Sequence, residues 1–283
     1  MLCQIARAQN AKLGSMILAS PSELAMWLTL LTAIAYAIPA ITADRMGPSL
    51  ARRYLWLAWL MHGATIGIGL LGETPRFGFA PALSVTVWWV LTAYAVESQY
   101  FPQLKARWAM AALGSAAVAV AWVFPGQALQ VTASIWLPLH WAFGIASYGM
   151  FAAAVIHAAL MTSAEIQIRQ GNENQSGLPL LTLERLMFRF VLLGFVLLTL
   201  TLIAGFVFGE QLYGAAGAHW KWDHKTVFSI LSWLTFGALL LGRRQFGWRG
   251  RRAVRVLYSG AALLLLAYAG SRFVLEVVLG RSL

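Results

Sequence analysis

The chain has 283 residues, of which 60% are hydrophobic and only 11% carry a charge. A soluble domain of this length holds about 45 to 50% apolar and about 25% charged residues, so this inventory excludes a water-exposed globular surface and specifies an integral membrane protein. The net charge of +11 comes from 21 Lys and Arg against 10 Asp and Glu, and because the basic residues lie mainly in short connections between apolar runs, they point to cytoplasmic loops and not to a nucleic-acid surface.

The first fifteen residues contain Arg7 and Lys12 but no apolar core, so they do not make a secretory signal peptide. Met16 is an alternative start, and residues 1–20 are expected to be an extension outside the fold. About 20 apolar residues cross a hydrocarbon core about 30 Å thick. Eight stretches approach that length, at roughly 23–41, 54–71, 81–96, 108–124, 135–162, 187–208, 227–241 and 256–279. They predict an all-α polytopic helical bundle forming one domain from residue 21 to 283. A polar, Gly- and Asn-bearing stretch at about 165–182 reads as a cytoplasmic linker between five front spans and three back spans. With eight spans, 14 of the 21 Lys and Arg fall on one side, including the run Arg243, Arg244, Arg249, Arg251, Arg252 and Arg255. That side is expected to be cytoplasmic, with both termini outside and the Arg-rich run acting as a topology anchor.

Cys3 is the only cysteine, which excludes an internal disulfide, a CxxC pair and a thiolate zinc cluster. There is no P-loop, GxSxG elbow, HExxH motif or convincing internal repeat. The chemistry must therefore lie in the few ionisable and metal-binding side chains placed at membrane depth.

His62 falls in the second span, about 12 Å above its cytoplasmic boundary at 1.5 Å per residue, where an interhelical hydrogen bond is the alternative to a ligand role. His140, in Pro138-Leu139-His140-Trp141 and followed by Ser147-Tyr148, lies just inside the outer boundary. His157 is about 25 Å further along the same helix and is expected at the cytoplasmic interface. The segment His219-Trp220-Lys221-Trp222-Asp223-His224-Lys225 packs indoles, imidazoles and an acid together. A flat, anionic macrocycle would find stacking faces, axial ligands and carboxylate partners there, whereas an ordinary interfacial anchor would use the same residues for solvation. Arg272, spaced i, i+4 from Glu276, is expected near the outer surface, either snorkelling or holding a carboxylate.

Several further stretches stand in a shared order: Leu183-Glu184-Arg185, residues 197–202, Gly247-Trp248-Arg249-Gly250-Arg251-Arg252 and Ala267-Tyr268-Ala269-Gly270-Ser271-Arg272. With them the sequence resembles the cytochrome c assembly family of the CcsA type, and most closely its smaller eight-span YpjD-type inner-membrane branch. The resemblance implies haem b in a helical bundle, with histidine ligands and a tryptophan-rich segment presenting it at the outer face of the bacterial inner membrane. Trp220, Trp222 and Asp223 resemble the end of that segment, and His140 resembles its outer-side histidine. His62, upstream of Phe77-Gly78-Phe79 and Ala82-Leu83-Ser84, is similar to the buried histidine of the branch.

Fuller members continue with Pro-Lys-Glu after the Asp and carry a later external histidine. This chain has His224-Lys225-Thr226 there, and no histidine follows His224. The expected function is thus haem handling by an accessory factor of cytochrome c biogenesis, with His62 and His140 as iron ligands at separate depths. Trp220, Trp222, Asp223, His224 and Arg272 complete the expected site. The expected partners are haem, other maturation proteins or an apocytochrome c, and the bilayer. The alternatives are a haem-independent transport or ion-homeostasis accessory protein, and a haem lyase proper.

Overall fold

The computed structural model describes residues 23–42, 45–71, 76–100, 107–128, 136–171, 178–207 and 224–267. The expected N-terminal extension, His219, Trp220, Trp222, Asp223, Arg272 and the middle of the polar linker lie outside the described residues. Among the described residues eight helices follow one another: α1 (Glu23–Ile41), α2 (Pro48–Leu71), α3 (Phe79–Tyr100), α4 (Arg107–Val123), α5 (Trp136–Arg169), α6 (Leu180–Val207), α7 (His224–Phe246) and α8 (Gly250–Leu265). Pro48, Pro81 and Pro138 all stand within the first three residues of their helices, where the missing N–H costs no intrahelical bond.

The chain is an all-α membrane helical bundle. Among the described residues, α3, α5, α6 and α7 are long and apolar enough to cross a bilayer, and α1 and α4 contribute shorter apolar helices. On α6, Leu192, Leu193, Val196, Leu200, Ile203 and Phe206 are all exposed. A contiguous apolar stripe of this length is a lipid-facing surface, because water would not tolerate it on a monomer.

Several helices run further than the apolar stretches predicted. The seventh was expected over 227–241, yet α7 spans 23 residues. Likewise α6 begins seven residues before 187, and α2 begins six before 54. The physical reason is that backbone hydrogen bonding does not stop where hydropathy falls. Polar residues continue a helix when they find partners, as Glu184 of α6 does with Arg243 of α7 at 2.9 Å. The expected linker is shortened for the same reason, since α5 continues to Arg169 and α6 starts at Leu180.

Packing divides the bundle differently from the expected five and three. α1 lies against α2 and α4, and α3 against α4, whereas α5 packs on α6 and α8, and α7 on α8. Two groups of four helices therefore meet along α3 and α5. That seam is close: a Cβ on Gly149 of α5 would come 2.7 Å from the Trp89 Cβ of α3. Small residues let backbones approach in lipid, where dispersion and hydrogen bonds hold helices together. The back group is locked by Phe151 of α5 stacked on Phe236 of α7, with centroids 3.7 Å apart, while Ser232 of α7 donates to the Gly260 carbonyl of α8 at 2.9 Å.

A feature that the apolar pattern did not announce is a two-stranded antiparallel ribbon, β1 (Arg76–Phe77) with β2 (Gln127–Ala128). Gly126 enters β2 with φ +77°, and a Cβ there would sit 2.6 Å from the Phe77 carbonyl carbon. Only glycine combines that dihedral with that approach. The ribbon ties the α2–α3 connection to the α4–α5 connection. Phe77 stacks on Trp141 of α5, with ring planes 3° apart.

The α7–α8 contact supplies a stability test. A Cβ on Gly260 would lie 2.7 Å from Phe236 Cε1, and Phe236 cannot retreat because Phe151 covers its other face. Gly260→Val is expected to cost about 1–3 kcal/mol by overpacking, read as a lower thermal midpoint of the detergent-purified protein. Gly67→Ala, at a position with nothing within 4 Å, should leave that midpoint unchanged or raise it.

Candidate functional site

His62 lies about 14 Å from the Leu71 end of α2 and is fully buried. Because α2 starts at Pro48, the histidine stands about 21 Å from the opposite end, deeper than a helix beginning at Tyr54 would place it. Its Nε2 is 2.8 Å from Ser84 Oγ of α3, and its Nδ1 is 3.4 Å from the Tyr36 hydroxyl of α1. The Tyr36 ring meets the imidazole edge-on, with centroids 5.7 Å apart. Three helices therefore converge on one side chain, and both of its ring nitrogens have protein partners. Sequence reasoning allowed His62 an interhelical hydrogen bond but did not single out Ser84 or Tyr36 as its partners, although each is a polar residue inside an apolar run, a pattern that flags such a bond.

Beside this cluster the α2–α3 seam is aromatic. Trp59 and Trp88 stack at 5.0 Å, with Trp59 Nε1 donating to Thr92 Oγ1 and Trp88 Nε1 donating to the Trp59 carbonyl. Each indole spends its single donor, as burial in an apolar medium demands.

His140 stands about 6 Å inside the first residue of α5 and is half-buried. Its imidazole faces α6 at Gly205, where a Cβ would come 3.4 Å from Cε1. Glycine there keeps space beside the ring. The Thr201 backbone and the Lys225 ammonium at the start of α7 are its polar neighbours. Nδ1 is buried and has no hydrogen-bond partner among the described residues. An orphaned imidazole nitrogen is costly in this environment unless something else binds it.

His224 is the first residue of α7 and is exposed. Trp220, Trp222 and Asp223 precede it directly in the chain. The structure thus brings His140 and the beginning of α7 to one end of the bundle through Lys225, and it does not bring His62 into direct contact with either. Among the described residues no group of three or more His, Cys, Asp or Glu is assembled to hold a metal ion.

His157 departs from expectation. It is only 4% exposed, not interfacial, because α5 runs twelve residues beyond it and its ring is covered by Phe190 of α6. Its Nε2 is 3.1 Å from Glu97 Oε2 of α3. Glu97 lay just past the expected end of the third span, so hydropathy alone assigned it to a loop. The helix carries on to Tyr100 and buries it.

At the opposite end from His140, charges are paired where they are buried. Glu184 binds Arg243, whose guanidinium also covers the Phe188 ring at 4.6 Å. Glu165 binds Arg169 and approaches Arg251 at 3.6 Å, bridging α5 to α8.

The sequence model of the family described as "Cytochrome C assembly protein" matches residues 48–279. The inner membrane protein YpjD of Escherichia coli (strain K12) is 30% identical over 199 residues, covering 69% of this chain and 73% of that protein. The cytochrome c biogenesis protein CcsA of Prochlorococcus marinus subsp. pastoris is 26% identical over 234 residues, covering 78% of this chain and 70% of that protein. The match runs from the first residue of α2, through His62, His140 and the tryptophan-bearing segment, to beyond Arg272, so the chain belongs to the cytochrome c assembly protein family.

Proposed function

We propose that this protein is a multi-pass bacterial inner-membrane factor of cytochrome c biogenesis that accommodates haem b at the outer end of its bundle. Both termini lie on that outer side, and the Arg-rich α7–α8 turn lies in the cytoplasm, as the distribution of Lys and Arg favours. The observation that carries this reading is His140: a half-buried imidazole whose Nδ1 has no hydrogen-bond partner among the described residues, facing Gly205, with α7 beginning directly after Trp220, Trp222 and Asp223. Family membership supports it, as does the name of the CcsA relative, a cytochrome c biogenesis protein.

The donor set offers haem His140, whose Nδ1 has no hydrogen-bond partner among the described residues and whose ring has the Thr201 backbone beside it. At His62 haem fits only if the imidazole gives up Ser84 or Tyr36. We therefore assign the iron ligand to His140, and to His62 the role of joining α1, α2 and α3. Trp220 and Trp222 are the stacking faces for the macrocycle, Lys225 and Arg272 the partners for its carboxylates, and His224 the available second imidazole. Haem, when bound, would supply an iron for imidazole nitrogen to ligate and a periphery open to attachment. The protein's own task is to hold that group at one end of the bundle and keep its apolar edge away from water. In this reading the chain acts as an accessory that hands haem on, with apocytochrome c or other maturation proteins as recipients.

The reduced-minus-oxidised absorption spectrum of the purified protein from haem-replete cells tests this directly. A haem signal is expected, and His140→Ala should lower haem occupancy about tenfold or more, as loss of a ligand does at other metal centres. His62→Ala should retain haem while losing about 1–3 kcal/mol of stability, because the Ser84 and Tyr36 hydroxyls are left buried without their partner. Equal loss of haem in both variants would return His62 to the ligand set, and pigment-free wild-type protein would overturn the haem reading.

Deletion of the protein is expected to reduce holocytochrome c only in part, measured by haem staining of membranes. Complete loss, together with a stable complex with an apocytochrome, would instead identify a lyase.

A further inference from the structure

Glu97 and His157 face each other across the seam that joins the two halves of the bundle, and the haem reading uses neither. Their side chains are only 9% and 5% exposed. His157 Nδ1 lies 2.8 Å from the Ala153 carbonyl oxygen, one turn back on α5. A carbonyl oxygen only accepts, so Nδ1 carries a hydrogen and donates it. Nε2 is then either a bare lone pair or a second N–H.

Glu97 Oε2 stands 3.1 Å from that nitrogen. A bare nitrogen lone pair held against a carboxylate oxygen, away from water, is a repulsive contact between two acceptors. One added proton makes it attractive, as an imidazolium with a carboxylate or as an imidazole with a carboxylic acid. The contact is off the line of a good hydrogen bond, so Nε2 keeps unspent capacity, and Glu97 Oε1 is buried without a partner among the described residues. Both atoms border a pocket lined by Tyr94, Met110 and Ala153, with room for about one water molecule.

The surroundings supply no competing charge among the described residues. Tyr94 is the other titratable group lining the pocket, α4 presents Met110, and α6 presents the Phe190 ring, with the neighbouring Arg189 exposed. Glu97 lies one turn from the Tyr100 end of α3, about 5 Å along the axis.

We propose that Glu97 and His157 form an intramembrane proton-binding site that holds one exchangeable proton between α3 and α5. Loading adds a proton, delivered as hydronium, to the lone pair of Nε2 or of Glu97. The hydronium reverts to water, no other bond changes, no electrons move, and the pair goes from net −1 to neutral. A buried ionisable pair in a membrane bundle is a functional element by default, and this one sits where discharge would place an uncompensated charge at the junction of the two helix groups.

The test uses the full chain labelled with [15N]histidine in nanodiscs near neutral pH, with infrared spectra taken in parallel. His157→Gln assigns the His157 resonances by their disappearance, and Phe190→Leu assigns them by a ring-current shift should that variant fail to assemble. Either an imidazolium pattern for His157, or a neutral ring with a protonated-carboxyl stretch that Glu97→Gln removes, is the expected result. A neutral His157 with a bare Nε2 beside an ionised Glu97 would overturn the proposal, whether or not the protein binds haem.

Discussion

A hydrocarbon medium offers no water to a polar side chain, so every donor and acceptor within the bundle must be met by another helix or be left at a cost of several kcal/mol. This constraint organises the protein. His62 is met by Ser84 and Tyr36, Trp59 by Thr92, Trp233 of α7 by Thr199 of α6, Ser232 by the Gly260 carbonyl, and Glu184 by Arg243. Each bond crosses between helices, so polar satisfaction and tertiary assembly are the same event. Among the described residues, Glu97 Oε1, His140 Nδ1 and His157 Nε2 are buried without a hydrogen bond. All three are imidazole or carboxylate atoms, and their unspent capacity sets them apart from the polar groups that join helices.

Packing enforces the same selectivity through glycine set against aromatic rings. Gly114 of α4 faces Tyr36, Gly194 of α6 faces Phe151, and Gly242 of α7 lies under Trp248, each leaving no room for a further carbon. Where apolar burial provides little drive, because lipid tails are as apolar as the helices, close contact and stacked rings supply the attraction that water supplies to soluble proteins. α5 is the pivot. About 51 Å long at 1.5 Å per residue, it outreaches the hydrocarbon core. It carries His140 near one end and Glu165 near the other, and its middle forms the seam with α3.

The two chemical sites belong to this same helix but to different environments. His140 lies where α5, α6 and the start of α7 come together beside the ribbon and the Phe77–Trp141 stack. His157 lies seventeen residues on, enclosed by α3 and α6. The first lies near a helix end, whereas the second borders a pocket with room for about one water molecule.

The sequence by itself determined that the chain is an all-α membrane protein and roughly where its helices run, because composition and apolar run length report directly on the solvent a chain is built for; the family resemblance came from ordered motifs instead. It also made His62 legible as buried and His140 as lying near a helix end, since depth follows from counting residues at a fixed rise. It could not fix the helix ends, because Glu97, Glu184 and Arg243 look like loop residues until a partner on another helix is known. Tertiary structure alone decided that the nitrogens of His62 are occupied while one of His140 is orphaned. It alone turned His157 from an interfacial residue into half of a buried pair. Those outcomes depend on which side chain another helix places within about 3 Å, a short-range matter that hydropathy, averaged over a span, does not contain.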